Sequence, residues 1–137
     1  MGTLLLLVAC SAPSPNPGPA PAPGAAPAAA PAPATYRSVE TEALATALTS
    51  AAPPVVLDVR TPEEYAQGHV PAAKNIPVDT LADNLAGLDK SAEVYVICQS
   101  GRRSAAASSM LAEHGYHPVN VNGGTAKWIA EGRPVEK

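Results

Sequence analysis

The absence of charge from the first 36 residues restricts folding to the rest of the chain. All 9 Lys and Arg residues and all 12 Asp and Glu residues of this 137-residue chain lie at Arg37 or beyond. Residues 11–35 contain 9 Pro and 10 Ala, a composition that neither continues a helix or sheet nor forms a core. We therefore predict one folded domain over residues 36–137, preceded by a disordered, Pro/Ala-rich tether.

The chain begins with MGTLLLLVAC, in which residues 4–9 form a short apolar run directly before Cys10. The segment Leu7-Val8-Ala9-Cys10 resembles the lipobox of bacterial lipoproteins, in which the cysteine is acylated and becomes the new N-terminus. It predicts a lipoprotein-type signal peptide over residues 1–9. Residues 10–35 would then be the lipid-anchor cysteine and its tether, and the protein would be exported to the periplasmic or extracytoplasmic face of the cell envelope. The alternative is an apolar N-terminus on a cytoplasmic protein.

The charge balance argues against several classes of partner. A net charge of −3 does not provide the basic surface that nucleic acid or an anionic membrane requires. No apolar run reaches the roughly 18–20 residues needed to span a bilayer. We expect membrane contact only through the lipid anchor, and a monomeric protein.

Apolar runs alternate with helical patterns along residues 36–137. VVLDV, VYVIC and PVNV, at residues 55–59, 94–98 and 118–121, are typical of strands covered on both faces, and residues 75–77 suggest a shorter one. Ser38 is the predicted N-cap of a first helix over VETEALATALTSA, and Thr61 and Glu64 form a capping box for a second. Further helices are predicted over VDTLADNLAGL, SAAASSMLAEHG and AKWIAEG. This order predicts an α/β fold with a single, mainly parallel sheet flanked by helices on both faces.

Cys98 ends the strand VYVIC, and the loop that follows leads into a helix. Tight winding there would turn successive N–H groups inward, and these groups, the helix dipole and two guanidiniums would favour a thiolate. The sequence thus predicts Cys98 as a catalytic nucleophile. The predicted substrate-binding residues are Gln99, Ser100, Gly101, Arg102, Arg103 and Ser104. The alternative is that Cys98 is a buried apolar side chain.

Five sets of residues, in order along the chain, resemble those of a single-domain rhodanese, which is a thiosulfate or related sulfane-sulfur transferase. They are Leu57-Asp58-Val59-Arg60 with Pro62-Glu63-Glu64-Tyr65; Gly68-His69-Val70-Pro71-Ala72-Ala73; Asn75-Ile76-Pro77; Cys98-x-x-Gly101-x-Arg103-Ser104; and Gly123-Gly124 with Trp128 and Gly132-x-Pro134-Val135.

The resemblance implies transfer of a sulfane sulfur through a Cys98 persulfide, without a metal or organic cofactor. The expected partners are a small anionic donor such as thiosulfate and a cyanide or thiol acceptor, with the loop amides, Arg102 and Arg103 stabilising the persulfide. Asp58 and Arg60, at the end of a strand, are interpreted as a structural network that supports the loop.

Three rival hypotheses remain at this point. A cysteine phosphatase or arsenate reductase would use a similar amide cradle, but phosphatases of the related fold have a C-x5-R loop, whereas Arg103 gives C-x4-R here and a smaller cradle. A persulfide carrier, sensor or binding module of the same fold would perform no turnover. A Cys–His dyad would use His69 as base, although His69 fits better as a loop residue bonded to the backbone.

Overall fold

A computed structural model describes residues 35–137, and the predicted signal peptide, Cys10 and the Pro/Ala-rich tether lie outside this range. Among the residues described, no helix has the length and apolar character to span a membrane. The strands are β1 (Arg37–Val39), β2 (Val55–Asp58), β3 (Lys74–Asn75), β4 (Glu93–Ile97) and β5 (His117–Val121). The helices are α1 (Thr41–Leu48), α2 (Pro62–Gln67), α3 (Arg102–Glu113) and α4 (Gly124–Ala130), together with a 3₁₀ helix at Val78–Gly87.

The five strands form one sheet in the order β1-β5-β4-β2-β3, and every paired neighbour is parallel. Crossovers between parallel strands are made by the intervening helices, which cover both faces of the sheet. The predicted α/β class, the parallel sheet and its flanking helices are therefore confirmed.

Alternate residues of the central strands feed two separate apolar clusters, as a strand period of two requires. On one face Val94, Val96 and Cys98 join Leu111 of α3 and Leu81 of the 3₁₀ helix. On the other face the cluster contains Tyr95, Ile97, Leu44 of α1 and Trp128 of α4. The central strands are buried on both sides, which explains why VVLDV and VYVIC read as continuous apolar runs.

The predicted capping box at the start of α2 is present. The Thr61 side chain accepts a hydrogen bond from the Glu64 amide (3.3 Å), and the Glu64 carboxylate accepts one from the Thr61 amide (3.1 Å). Pro62 occupies the first turn, where its missing N–H is not needed. The sequence therefore fixes both the start of this helix and the direction of the Glu64 side chain.

The prediction that Ser38 caps the first helix is wrong. Residues 37–39 form the edge strand β1, which pairs with β5 from Arg37↔Val119 to Val39↔Val121. The helix begins two residues later, with Glu40 at the N-cap and no side-chain capping bond, and it ends at Leu48. The pairing of β1 with a strand about 80 residues away outweighs the local capping preference of Ser38.

Smaller shifts of boundaries follow from the same sheet. The short strand lies at Lys74–Asn75 instead of residues 75–77, because it pairs with Leu57 and Asp58 of β2. α3 begins at Arg102, two residues before the predicted start, so Arg102 and Arg103 belong to the helix and not to the loop before it. It ends before Gly115, whose positive φ (83°) allows the chain to turn into β5.

Candidate active site

Cys98 lies at the carboxyl end of β4, where parallel sheets generally bind ligands. It is a free cysteine, and only 1% of its surface is exposed. Its side chain belongs to the apolar cluster that contains Val96 and Ala107. The next turn is short, because Gly101 adopts a left-handed conformation (φ 100°) as the N-cap of α3. A side chain at Gly101 would be strained there.

The turn directs polar hydrogens at the Cys98 sulfur. The Gly101 amide donates to Sγ over 3.1 Å. Burial raises the pKa of the Cys98 thiol, but hydrogen bonds from the Ser104 hydroxyl and from the amides of Ser104, Ser100 and Gly101 lower it further than burial raises it. The net pKa therefore lies below the ordinary value for cysteine, which favours the thiolate, the nucleophilic form. Cys98 is thus buried, and hydrogen-bond donors from the turn and from α3 lie close to its sulfur.

The peptide groups of Cys98 and Gln99 are held from behind by the start of α4. The Thr125 amide donates to the Cys98 carbonyl (2.8 Å), and the Ala126 amide donates to the Gln99 carbonyl (3.0 Å). These bonds fix the carbonyls away from the sulfur, which leaves the amides of the turn free to face it. The approach requires Gly124, since a Cβ there would lie 2.3 Å from the Cys98 carbonyl oxygen.

The two loop arginines have different surroundings. Arg103 forms a bidentate ion pair with Glu64 of α2, with both N–O distances at 2.7 Å. The pKa of the Glu64 carboxyl is lowered to about 2, and the largest cause is its hydrogen bonding to Arg103. Arg102 is exposed and, with Ser100, Arg103 and Ala106, lines an open depression beside the turn. Arg103 therefore links α3 to α2, whereas Arg102 faces solvent at the edge of the depression.

Asp58 and Arg60 form a buried ion pair next to the cradle, with Nη2 and Oδ2 2.7 Å apart. Arg60 also donates to the carbonyl of Gly68 (2.8 Å) and to the side-chain oxygen of Gln99 (3.3 Å). Several hydrogen bonds satisfy this buried pair, as its desolvation requires. The structure therefore places Asp58 and Arg60 in a network that touches the loop through Gln99.

Ser104 and the β5 residue Asn120 share a short hydrogen bond beneath the cradle. The Ser104 hydroxyl donates to Asn120 Oδ1 over 2.6 Å, and both residues are buried. Ser104 lies in the first turn of α3, and its hydroxyl is also one of the donors that lower the pKa of the Cys98 thiol.

His69 is placed by its backbone and by Tyr65. Its Nδ1 lies 3.0 Å from the Tyr65 carbonyl, and its ring stacks on the Tyr65 ring. The prediction that His69 bonds to the backbone is confirmed. Within residues 35–137, no group of His, Cys, Asp and Glu side chains comes together in a set that could hold a metal ion.

Sequence reasoning missed four contributors to the site: Glu64, Asn120, Gly124 and the amides at the start of α4. Glu64 was visible as half of a capping box, and Gly124 as half of a glycine pair. Glu64 contacts Arg103, which lies 39 positions later in the chain. Asn120 approaches the loop from β5, and Gly124 and the amides approach it from the start of α4. Local patterns carry no signal for such contacts.

Comparison with known families agrees with this geometry. Residues 41–131 match the model of the rhodanese-like domain. The chain belongs to the rhodanese family. The rhodanese domain is 33% identical over 98 residues to a sulfurtransferase of Allochromatium vinosum, a match that covers 71% of this chain and 92% of that protein. It is 43% identical over 70 residues to the thiosulfate sulfurtransferase PspE of Escherichia coli, covering 50% of this chain and 67% of that one.

Solved structures show the same fold. A rhodanese-like domain protein from Staphylococcus aureus superposes on 74% of this chain and 99% of its own, with a TM-score of 0.68 and 40% sequence identity. The predicted family is therefore confirmed, and this rhodanese domain has homologues that are sulfurtransferases.

Proposed function

We propose that this rhodanese domain is a sulfurtransferase that moves a sulfane sulfur from a donor such as thiosulfate to cyanide or a thiol. The observation that carries the proposal is the ring of donors at Cys98, with the Gly101 amide 3.1 Å from Sγ and the thiol pKa lowered. Donors that favour the thiolate would also stabilise a persulfide anion, which carries the same charge one sulfur further out.

The proposed reaction has two steps. The Cys98 thiolate attacks the outer sulfur of thiosulfate, the sulfur–sulfur bond of the donor breaks, and sulfite leaves with the bonding electron pair. Cys98 then carries a persulfide. Cyanide or a thiolate attacks its outer sulfur, the new sulfur–sulfur bond breaks, and thiocyanate or a second persulfide leaves as the Cys98 thiolate returns. No redox cofactor or metal is required, and the kinetics are ping-pong.

The geometry gives less support to a phosphatase. In the C-x4-R turn of this chain Arg103 is bound by Glu64, so its guanidinium is not directed at an oxyanion above Cys98. The depression at the mouth is lined by Arg102 and Ser100. We expect no release of phosphate from an aryl phosphate under conditions that give thiocyanate from thiosulfate and cyanide.

The decisive experiment is the intact mass of the full chain after thiosulfate treatment. We expect a gain of one sulfur atom, lost on addition of cyanide with release of thiocyanate. Cys98→Ser removes the gain, and Cys10→Ser, the matched control, keeps it. Thiocyanate should accumulate over many turnovers. One equivalent per chain would instead indicate a carrier or sensor, and no sulfur adduct would contradict the proposal.

We also propose that the domain is anchored outside the cytoplasm through Cys10. The lipobox-like segment Leu7-Val8-Ala9-Cys10 and the Pro/Ala-rich segment that follows it support this. The full chain expressed in a bacterial host should fractionate with membranes and incorporate labelled fatty acid. Cys10→Ala should abolish both, while Cys98→Ala should leave both unchanged. An unlabelled cytoplasmic protein would contradict the anchor without affecting the proposed chemistry.

A further inference from the structure

Asn120 is a buried polar side chain beside the candidate site, with 4% of its surface exposed. It pairs with Val96 in the register of β4 and β5. Residues paired in register point to the same face of a sheet, and Cys98 follows Val96 by two positions. Asn120 and Cys98 therefore face the same helix, α3, and Ser104 of that helix packs between them.

The side chain of Asn120 belongs to a chain of hydrogen bonds that reaches the surface. Its Nδ2 donates to Asn122 Oδ1 (3.2 Å) and to the Ser38 hydroxyl (3.2 Å), and its Oδ1 accepts from Ser104 (2.6 Å). Asn122 Nδ2 in turn donates to the carboxylate of Glu40 (3.1 Å). The chain thus connects Ser104, in the candidate site, with the exposed carboxylate of Glu40.

The Glu40 carboxylate fixes the direction of these bonds. An ionised carboxylate only accepts, and Lys127 lowers the pKa of Glu40 as the largest effect. Asn122 must therefore direct its NH₂ group at Glu40 and its oxygen at Asn120. For the same reason Asn120 directs its NH₂ group at Asn122 and its oxygen at Ser104. The amide orientations follow from one surface charge.

The side-chain oxygen of Asn120 is only an acceptor, so in its bond with Ser104 the serine hydroxyl is the donor. The Ser104 hydroxyl has one hydrogen, and the Cys98 sulfur is the other group near it that benefits from a donor. We propose that Asn120 is a positioning residue that competes with the Cys98 sulfur for the single hydroxyl hydrogen of Ser104. It restrains the ionisation of Cys98, whereas the loop amides promote it.

The competition has a defined proton balance. When Cys98 is a thiol, Ser104 donates to Asn120. When the thiol proton leaves to solvent, the Ser104 hydroxyl turns to the sulfur, and Asn120 Oδ1 loses its donor. This inference deepens the proposed function, since it concerns the sulfur that would carry the transfer. Its readout is the ionisation of Cys98, so it can fail while sulfur transfer stands.

The charged groups around the cradle come from three parts of the fold and are the same in all variants at position 120. They are Arg102 and Arg103 of α3, Glu64 of α2, and the Asp58–Arg60 pair at the end of β2.

The test follows the Cys98 thiolate by ultraviolet absorbance against pH, in the full chain with Cys10→Ser. Asn120→Leu keeps the size of the side chain and removes the acceptor. It should move the midpoint down, giving about tenfold more thiolate at a pH below the midpoint. In a Ser104→Ala background the same substitution should have no effect, because the contested hydrogen is gone.

A purely structural role for Asn120 predicts the opposite result. Loosening α3 would weaken the cradle and move the midpoint up, with or without Ser104. An upward or absent shift in Asn120→Leu, or a downward shift that persists with Ser104→Ala, overturns the proposal.

Asn120→Asp provides a second test if the leucine variant does not fold. It keeps the acceptor and adds a charge, so the midpoint should rise. The rise should shrink in the Ser104→Ala background, where only charge repulsion remains. Equal rises in both backgrounds overturn the proposal.

Discussion

Two turns at the carboxyl edge of the sheet share a conformation and differ in what their amides bind. The turn after β4 ends at Gly101 (φ 100°), and the turn after β5 ends at Gly123 (φ 76°). Each is a left-handed N-cap without a side-chain capping bond. The amides of the first turn face the Cys98 sulfur, whereas the amides at the start of α4 bind the carbonyls of Cys98 and Gln99.

In this pair, the turn that surrounds the sulfur is the one whose carbonyls are bound by the amides of its neighbour. The two turns are in contact, since a Cβ on Gly101 would lie 3.3 Å from the Gly123 amide nitrogen. The second turn uses its own donors to orient the peptides of the first. One turn therefore presents donors to the sulfur, and its neighbour supports that arrangement.

Gly124→Ala should disrupt the contact between the two turns, and of all the variants we expect it to lower stability and activity most. The new Cβ would lie 2.3 Å from the Cys98 carbonyl oxygen, at a residue with φ 60°. We expect destabilisation beyond the about 1–2 kcal/mol of left-handed strain alone. Displacement of the turn should reduce thiosulfate–cyanide activity by about 100-fold. Denaturant unfolding and steady-state kinetics measure the two effects.

Gly132→Ala is the matched control for this substitution. Gly132 has a similar φ (70°), and a Cβ there would meet no atom within 4 Å. This variant should lose only the strain energy and keep its activity. If both variants lose activity equally, contact between the two turns is not what supports the cradle.

Arg103→Ala should have an intermediate effect, through Glu64. Without its partner, the Glu64 carboxylate would remain as an uncompensated negative charge beside the path of an anionic donor. We expect kcat/KM for thiosulfate to fall about tenfold, mainly through KM. Adding Glu64→Gln to Arg103→Ala should recover most of the loss, because it removes the charge.

Arg102→Ala is the comparison for Arg103. Its guanidinium is exposed, so solvent and salt screen its attraction for the anionic donor, and kcat/KM for thiosulfate should fall only about twofold to threefold. Equal losses at both arginines would show that the roles of Arg102 and Arg103 are wrongly assigned. No recovery in the double variant would show that Arg103 contacts the donor directly.

The smallest expected effect is on stability at low pH. The pKa of Glu64 falls from its ordinary 4.5 to about 2 in the folded chain. Its contribution is complete above the unfolded value and is lost as pH falls from 4.5 through about 2. The stability difference between the unaltered chain and Glu64→Gln should be at most about 1 kcal/mol, since the pair is partly exposed. Urea unfolding at pH 6 and at lower pH, with Arg102→Ala as control, measures this change; a difference that does not vary with pH would contradict it.

Much of the fold follows from local patterns. The buried runs of β2, β4 and β5, the capping box at Thr61 and the glycine after α3 each signal their element over a few residues. The position of Cys98 at a strand end, followed by small residues and a helix, likewise indicated the cradle. These signals are strong because the backbone conformation is determined by neighbours in sequence.

The missed features depend on contacts between distant residues. β1 exists because of its pairing with β5, and the Ser38 hydroxyl accepts a hydrogen bond from Asn120 instead of capping a helix. Arg103 turns to Glu64, 39 positions earlier, although the sequence suggests a pair of arginines at one mouth. The packing of elements that are distant in sequence decides such contacts, and no local preference encodes it.

The burial of Cys98 also determines which oxidation products this residue can form in air. A disulfide requires two sulfurs at about 2 Å, with their Cα atoms within about 7 Å. Two copies cannot bring thiols that are each 1% exposed to that distance without unfolding. Storage should therefore yield small oxygen or sulfur adducts at Cys98, and covalent dimers through this residue should not form.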